Sequence, residues 1–183
     1  MTASNGESSV RRLASEILLK VDIQKAYADI LLDQGIKTQR LQQRDRALLT
    51  ELVYGTLRWR GAIDAQLSLH LRRPLAKTDP FIRNLLRVTL YQLLFLDKIP
   101  DYAAVNEAVQ LAKKHKGGKV AGFVNGALRN FLRGKNEPAK PHPSDDSIAT
   151  LAVEYSHPEW LVERWFEYFG LEDAKALMQA NNE

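Results

Sequence analysis

Apolar residues in this chain recur at helical spacing almost throughout, and stretches that alternate apolar with polar residues, as a half-buried strand would, are hard to find. From Ser9 onward Val10, Leu13, Ala14, Ile17, Leu18 and Val21 follow i, i+3, i+4, i+7 and share one helical face. A short second helix is expected from Tyr27 to Gln34, stopped by Gly35. The stretch from Gln43 to Leu71 carries Leu48, Leu52, Val53, Leu57, Ile63, Leu67 and Leu71, with Gly55 and Gly61 as candidate interruptions and Pro74 as its end. Asp79-Pro80 then supplies an N-cap and a first-turn proline for a helix bearing Phe81, Leu85, Leu86, Leu90, Leu93 and Leu94. Pro100-Asp101 opens another, with Ala104, Val105, Ala108, Val109 and Leu111 on its apolar side, and Gly117-Gly118 breaks it. Val120, Phe123, Val124, Ala127, Leu128, Phe131 and Leu132 mark the helix that follows.

Residues 134–147, GKNEPAKPHPSDDS, contain three prolines and no large apolar side chain, which reads as a linker. Two or three further helices are expected beyond it. The run Ser156-His157-Pro158-Glu159 fits a capping box opening the WLVERWFEYF helix, with His157 in its first turn. This last part is acidic and aromatic, and too short to bury Trp160, Trp165, Phe166 and Phe169 by itself. The expected organisation is all-α, with a helical bundle over 9–134, a linker over 135–147, and the opening helices of a connecting region over 148–183.

Several function classes fall away on residue type. The chain of 183 residues has no cysteine, so it carries no disulfide, thiolate zinc site or cysteine nucleophile. Its four histidines, His70, His115, His142 and His157, include no i, i+4 pair that would gather a metal. Neither a G-x-G-x-x-G nor a P-loop is present, and no sequence feature pairs two carboxylates in a pocket. No residue is therefore assigned to catalysis, to a metal or to a cofactor. No apolar run approaches the ~18 residues needed to span a bilayer, and the first ten residues lack a secretory pattern, so a cytoplasmic chain without membrane contact is expected.

Charge is the informative property. Residues 108–140 hold eight Lys and Arg against one acid, Glu137, whereas residues 141–183 hold two against nine Asp and Glu. Solubility alone does not require such an imbalance, and counterion release rewards a cation cluster that meets a polyanion. Arg11 and Arg12 at the first helix, Arg44 and Arg46 at the third, Lys113, Lys114, Lys116 and Lys119 around the glycine turn, and Arg129 behind it are the candidate polyanion-binding residues. Their expected role is phosphate contact, not base reading. A solvated helix face is the competing explanation. Asn106 and Asn125 interrupt apolar stripes, so each amide is expected to bond across a helix pair or to loop backbone, with nucleotide contact as the functional alternative.

The strings RDRALLTELVYGTLRWRGAID, RNLLRVTLYQLLFLDKIPDYAAVNEAVQLAKK and GFVNGALRNFL resemble the transcription antitermination factor NusB. They resemble more closely the NusB-like N-terminal domain of bacterial small-subunit ribosomal-RNA cytosine-C5 methyltransferases, the Sun or Fmu family. LAVEYSHPEWLVERWFEYFGLEDAKALMQANNE resembles the segment that follows in those enzymes and has no counterpart in free-standing NusB, which favours the methyltransferase. The resemblance implies a NusB-like bundle that binds ribosomal RNA and positions it, with a downstream methyltransferase domain expected beyond Glu183. That domain would bring S-adenosylmethionine and the cysteine nucleophile, and no residue here matches either motif. No DNA partner is implied. Two rival readings stand beside it: an antitermination factor binding RNA with a ribosomal-protein partner, and a helical adaptor that binds protein and no RNA.

Overall fold

A computed structural model describes residues 4–136 and 146–182; most of the expected linker lies outside the described residues. Within them the chain forms α1 (Ser4–Gln24), α2 (Ala28–Gln39), α3 (Gln43–Arg58), α4 (Arg60–His70), a 3-10 turn (Leu75–Lys77), α5 (Pro80–Phe95), α6 (Asp101–Lys116), α7 (Gly118–Asn136), α8 (Ile148–Glu154) and α9 (Glu159–Ala180). The all-α expectation holds, since no strand occurs among the described residues.

Helix α5 is the axis of the bundle. Pro80 begins it, and the Asp79 carboxylate caps it by accepting from the amides of Phe81 and Ile82 at 3.1 and 3.2 Å. Its sequence suggests one apolar stripe, yet Phe81, Ile82 and every residue from Asn84 to Leu93 are buried. Helices α1, α3, α4, α6 and α7 all pack against it, so a helix buried all round is what the position demands. Four polar side chains on α5, Asn84, Arg87, Thr89 and Gln92, go inside with it and find partners, Thr89 by donating to Leu85 O at 2.7 Å. Arg87 makes a two-pronged bond to Asp64 of α4, at 2.7 and 2.6 Å, and a third to Asp22 of α1 at 2.9 Å. Asn84 donates to the same Asp22 carboxylate at 3.1 Å. Burial would push the Asp22 carboxyl up, but the Asn84 amide and the guanidinium groups of Arg60, Arg87 and Arg83 outweigh it and hold the group below the usual carboxylate range. Gln92 completes the set by accepting from Arg11 Nε at 2.5 Å.

That last bond removes Arg11 from the candidate RNA contacts. The side chain is 5% exposed and its guanidinium also pairs with Glu107 of α6 at 2.7 Å, so it ties α1 to α5 and α6 inside the bundle. Neighbouring Arg12 points outward and, among the described residues, pairs with Glu16, one turn along.

Two glycines expected to break helices instead let helices approach. Gly35 lies within α2, where a Cβ would stand 3.3 Å from Leu13 Cδ2 on α1. Gly55 lies within α3, where a Cβ would stand 2.1 Å from Cζ of Tyr91 on α5. The Tyr91 ring fills that space, with its hydroxyl donating to Glu51. The break in the 43–71 stretch falls at Trp59 (φ −93°, ψ 17°), and α4 ends at His70, before Pro74.

The expected capping box at Ser156 is also reassigned. Helix α9 has Pro158 as its N-cap, with no side-chain bond, and His157 lies outside the helix. Ser156, at φ 59°, turns its hydroxyl to the start of α4 and accepts from Gly61 N at 2.8 Å and Ala62 N at 3.4 Å. Amides of a helix's first turn have no partner in their own helix, and here a distant serine provides one. Helices α8 and α9 bury a small cluster of their own, Leu151, Ala152, Val162 and Met178. Helix α8 packs on α4 beside this cap, and Arg58 Nη1 at the end of α3 donates to Asn182 O at 3.1 Å. Gly170, at φ 76°, kinks α9.

Two outcomes follow from this packing. Gly55→Ala should destabilise the protein by about 1–3 kcal/mol through overpacking against Tyr91, whereas Gly122→Ala on the exposed face of α7, where a Cβ would meet nothing within 4 Å, should stabilise it by up to about 1 kcal/mol. Denaturant unfolding of both variants checks the opposite signs. Arg11→Ala should cost about 3–5 kcal/mol by leaving a carboxylate buried without its partner, and Arg12→Ala less than about 0.5 kcal/mol. Equal losses for the two arginines would contradict the assignment of Arg11 to the interior.

Candidate nucleic-acid interface

The α6–α7 hairpin is the cationic part of the surface, and two contacts fix where it sits. Gly117, at φ 80°, turns the chain between the two helices. Lys116 Nζ then reaches Asp79 Oδ2 at 2.5 Å, while His115 Nε2 lies 3.2 Å from Asp79 Oδ1 with its ring against Phe81. Burial would raise the Asp79 carboxyl, but hydrogen bonds from Lys116 and the Ile82 amide outweigh it and leave the group below the ordinary carboxylate range. The carboxylate that caps α5 therefore also holds the end of α6. Lys116 is committed to this contact.

Beside the hairpin runs a groove of about 640 Å³, between α7 and the segment joining α4 to α5. Arg72, Arg73 and Lys77 stand on one wall and Lys119 on the other. All four are exposed, and none forms an ion pair among the described residues. Phe123 lines the same groove with 39% of its surface exposed, next to Gly122 and Gly126, where a Cβ would meet nothing within 4 Å. The wall of α7 is thus low, and a bulky ligand can approach its backbone. Cations without carboxylate partners beside an exposed ring are the side chains that track a phosphodiester chain and stack a base.

The sequence-derived candidates divide on this surface. Lys119 lines the groove, and Lys113 and Lys114 are exposed on the last turn of α6. Arg129 is exposed on the other flank of α7, in a second groove of about 730 Å³ against α6. Arg44 and Arg46 are exposed at the start of α3, where Arg46 Nε donates to Leu41 O at 2.7 Å. Arg12 lies on α1 in its pair with Glu16. Arg72, Arg73 and Lys77 were not singled out from the sequence, because they sit in a segment without helical periodicity and reach Lys119 only through the tertiary fold. The signal available was the Arg72-Arg73 doublet itself, followed by Lys77.

Asn106 and Asn125 depart from their expected role. Neither amide bonds across the helix pair or to loop backbone among the described residues; both line the second groove. Among the described residues no group of three or more His, Asp or Glu is placed to hold a metal ion, and no helix is long and apolar enough to cross a membrane.

Comparison with known proteins agrees with the all-α fold. Residues 8–133 match the NusB family. Over 173 residues the chain is 44% identical to the probable ribosomal RNA small subunit methyltransferase B of Bacillus subtilis, covering 93% of this chain and 38% of that protein. It is 33% identical to the probable protein of the same name from Synechocystis, over 92% of this chain and 37% of that one. The chain therefore spans less than two-fifths of the length of these relatives. Among solved structures, the antitermination factors NusB and NusE in complex with double-stranded RNA match at a TM-score of 0.65, with 22% identity, 71% of this chain covered and 98% of that chain. The crystal structure of PH0851 matches at 0.73 with 20% identity, covering 96% of this chain and 38% of that one, so the likeness of fold extends into α8 and α9. The match over residues 8–133, which takes in most of α1, all of α2 to α6 and most of α7, makes this chain a member of the NusB family.

Proposed function

We propose that this chain is an RNA-binding module that holds ribosomal RNA for S-adenosylmethionine-dependent methylation of a cytosine by a further domain of a longer protein. The observation that carries the reading is the groove along α7, where Arg72, Arg73, Lys77 and Lys119 face one cleft without a carboxylate partner among the described residues. Support comes from relatives named as ribosomal RNA small subunit methyltransferases, which align along most of this chain and are more than twice its length. The methyl-transfer chemistry belongs outside this chain in this reading. The chain has no cysteine to add to a cytosine ring.

The role of the chain is then electrostatic and positional. Each groove cation that meets a phosphate releases a condensed counterion, which supplies affinity without regard to sequence. Lys113, Lys114 and Arg129 continue the track around the hairpin, and Arg12, Arg44 and Arg46 are outlying contacts for a longer RNA.

Fluorescence anisotropy of a labelled ribosomal-RNA fragment across a salt series tests this. Replacing Arg72, Arg73, Lys77 and Lys119 together by alanine should lower the magnitude of the log–log salt slope by up to about three units. The melting temperature should change little, because none of the four pairs with a described residue. Identical slopes for the two proteins would remove the groove from the RNA site. Absence of RNA binding by the parent at low salt would favour the adaptor reading instead.

A further inference from the structure

The second groove, on the α6 side of α7, holds side chains that phosphate binding leaves unused. Val109 and Leu132 give it apolar walls, and Tyr102, Asn106, Asn125 and Arg129 project from them. Among the described residues none of these four makes a side-chain hydrogen bond or ion pair. Neither amide is sealed from solvent without a partner, so both remain open to a ligand. Tyr102 presents 78% of its surface to solvent, a large ring open to a ligand. The volume, about 730 Å³, lies within the roughly 300–1,000 Å³ of small-molecule sites.

The chemistry of these groups is specific. An asparagine amide carries donors beside an acceptor in one plane, the pattern that matches the hydrogen-bonding edge of a nucleobase. Here two such amides come from facing helices. A tyrosine ring offers a stacking platform for an unpaired base, and an arginine beside it can meet the adjoining phosphate. The register adds continuity. Tyr102, Asn106, Val109 and Lys113 follow one stripe along α6 at i, i+4, i+7 and i+11, so the groove runs into the lysines of the hairpin turn. Its carboxylate, Asp101, sits at the start of α6, away from Lys113. Between this groove and the cationic one, α7 is bare at Gly122 and Gly126. A strand held in one groove can therefore cross the helix into the other.

We propose that the α6–α7 groove reads one or two unpaired bases of the RNA strand whose phosphates the cationic groove holds, with Asn106 and Asn125 contacting base edges and Tyr102 stacking. The assignment rests on the RNA reading above. The occupant is argued from continuity, since the groove carries Arg129 and its α6 stripe leads to Lys113, both of which suit a phosphodiester strand better than a protein segment.

Binding of equal-length single-stranded homopolymers of A, C, G and U, and of a duplex, is measured by anisotropy for the parent, the Asn106→Ala/Asn125→Ala double variant and Tyr102→Ala. The parent should prefer one base by about tenfold or more, the discrimination expected of a good two-bond amide contact. The double variant should lose that preference and keep the parent's salt slope. Tyr102→Ala should weaken single strands together and leave the duplex unchanged. An Asn106→Asp/Asn125→Asp variant, close in shape but without the amide donors, should also lose the preference, which separates recognition from any loss of packing. A parent without base preference, or amide variants that retain it, overturns the assignment while RNA binding stands, and leaves the groove to a protein partner. Failure of the parent to bind any RNA at low salt overturns both readings.

Discussion

Helix α5 is buried on every side, and a helix with apolar residues all round could settle into a bundle at more than one rotation or height. Arg87, Asn84 and Gln92 remove that freedom. Arg87 must meet Asp64 on α4 and Asp22 on α1 together, while Gln92 must meet Arg11 on α1. A slip of α5 by one residue would leave those charges buried and unpaired, at a cost of several kcal/mol. The remaining helices take their places from this constraint. Asp22 and Asp64 set α1 and α4, Tyr91 in the notch at Gly55 sets α3, and the Arg11–Glu107 pair brings in α6.

The surface proposed to meet RNA is a consequence of the same arrangement. Asp79 at the first turn of α5 captures Lys116 and His115, which fixes the end of α6 and the turn into α7. Helix α7 then stands as a low ridge, with a cationic groove toward the α4–α5 segment on one flank and an amide-lined groove toward α6 on the other. The acidic α8–α9 pair is fastened elsewhere, at the start of α4, by Ser156.

Much of this was legible in the sequence, for identifiable reasons. Helical periodicity marked the bundle, and Asp79-Pro80 located the start of α5 because capping and proline stereochemistry act within a few residues. The misreadings share one physical origin. Gly35 and Gly55 look like helix breakers because a glycine's local cost is visible and the partner helix that needs its missing Cβ is not. Ser156 looks like the cap of the helix that follows it, yet it caps one 95 residues earlier in the chain. Arg11 and Arg12 are adjacent and chemically identical, and only packing shows that one is interior and the other exposed. The same holds for Arg72, Arg73 and Lys77, which become one site with Lys119 through contacts no local pattern encodes.

In the proposed complex RNA lies along both flanks of α7. The most direct measurement is ultraviolet cross-linking of the protein to a single-stranded ribosomal-RNA fragment, with the attached peptides identified by mass spectrometry. Attachment is expected at Phe123 and Tyr102 and in the peptides that hold Arg72, Arg73 and Lys77. Cross-links confined to the aromatic residues of α9, with α7 and the α4–α5 segment unmodified, would contradict it.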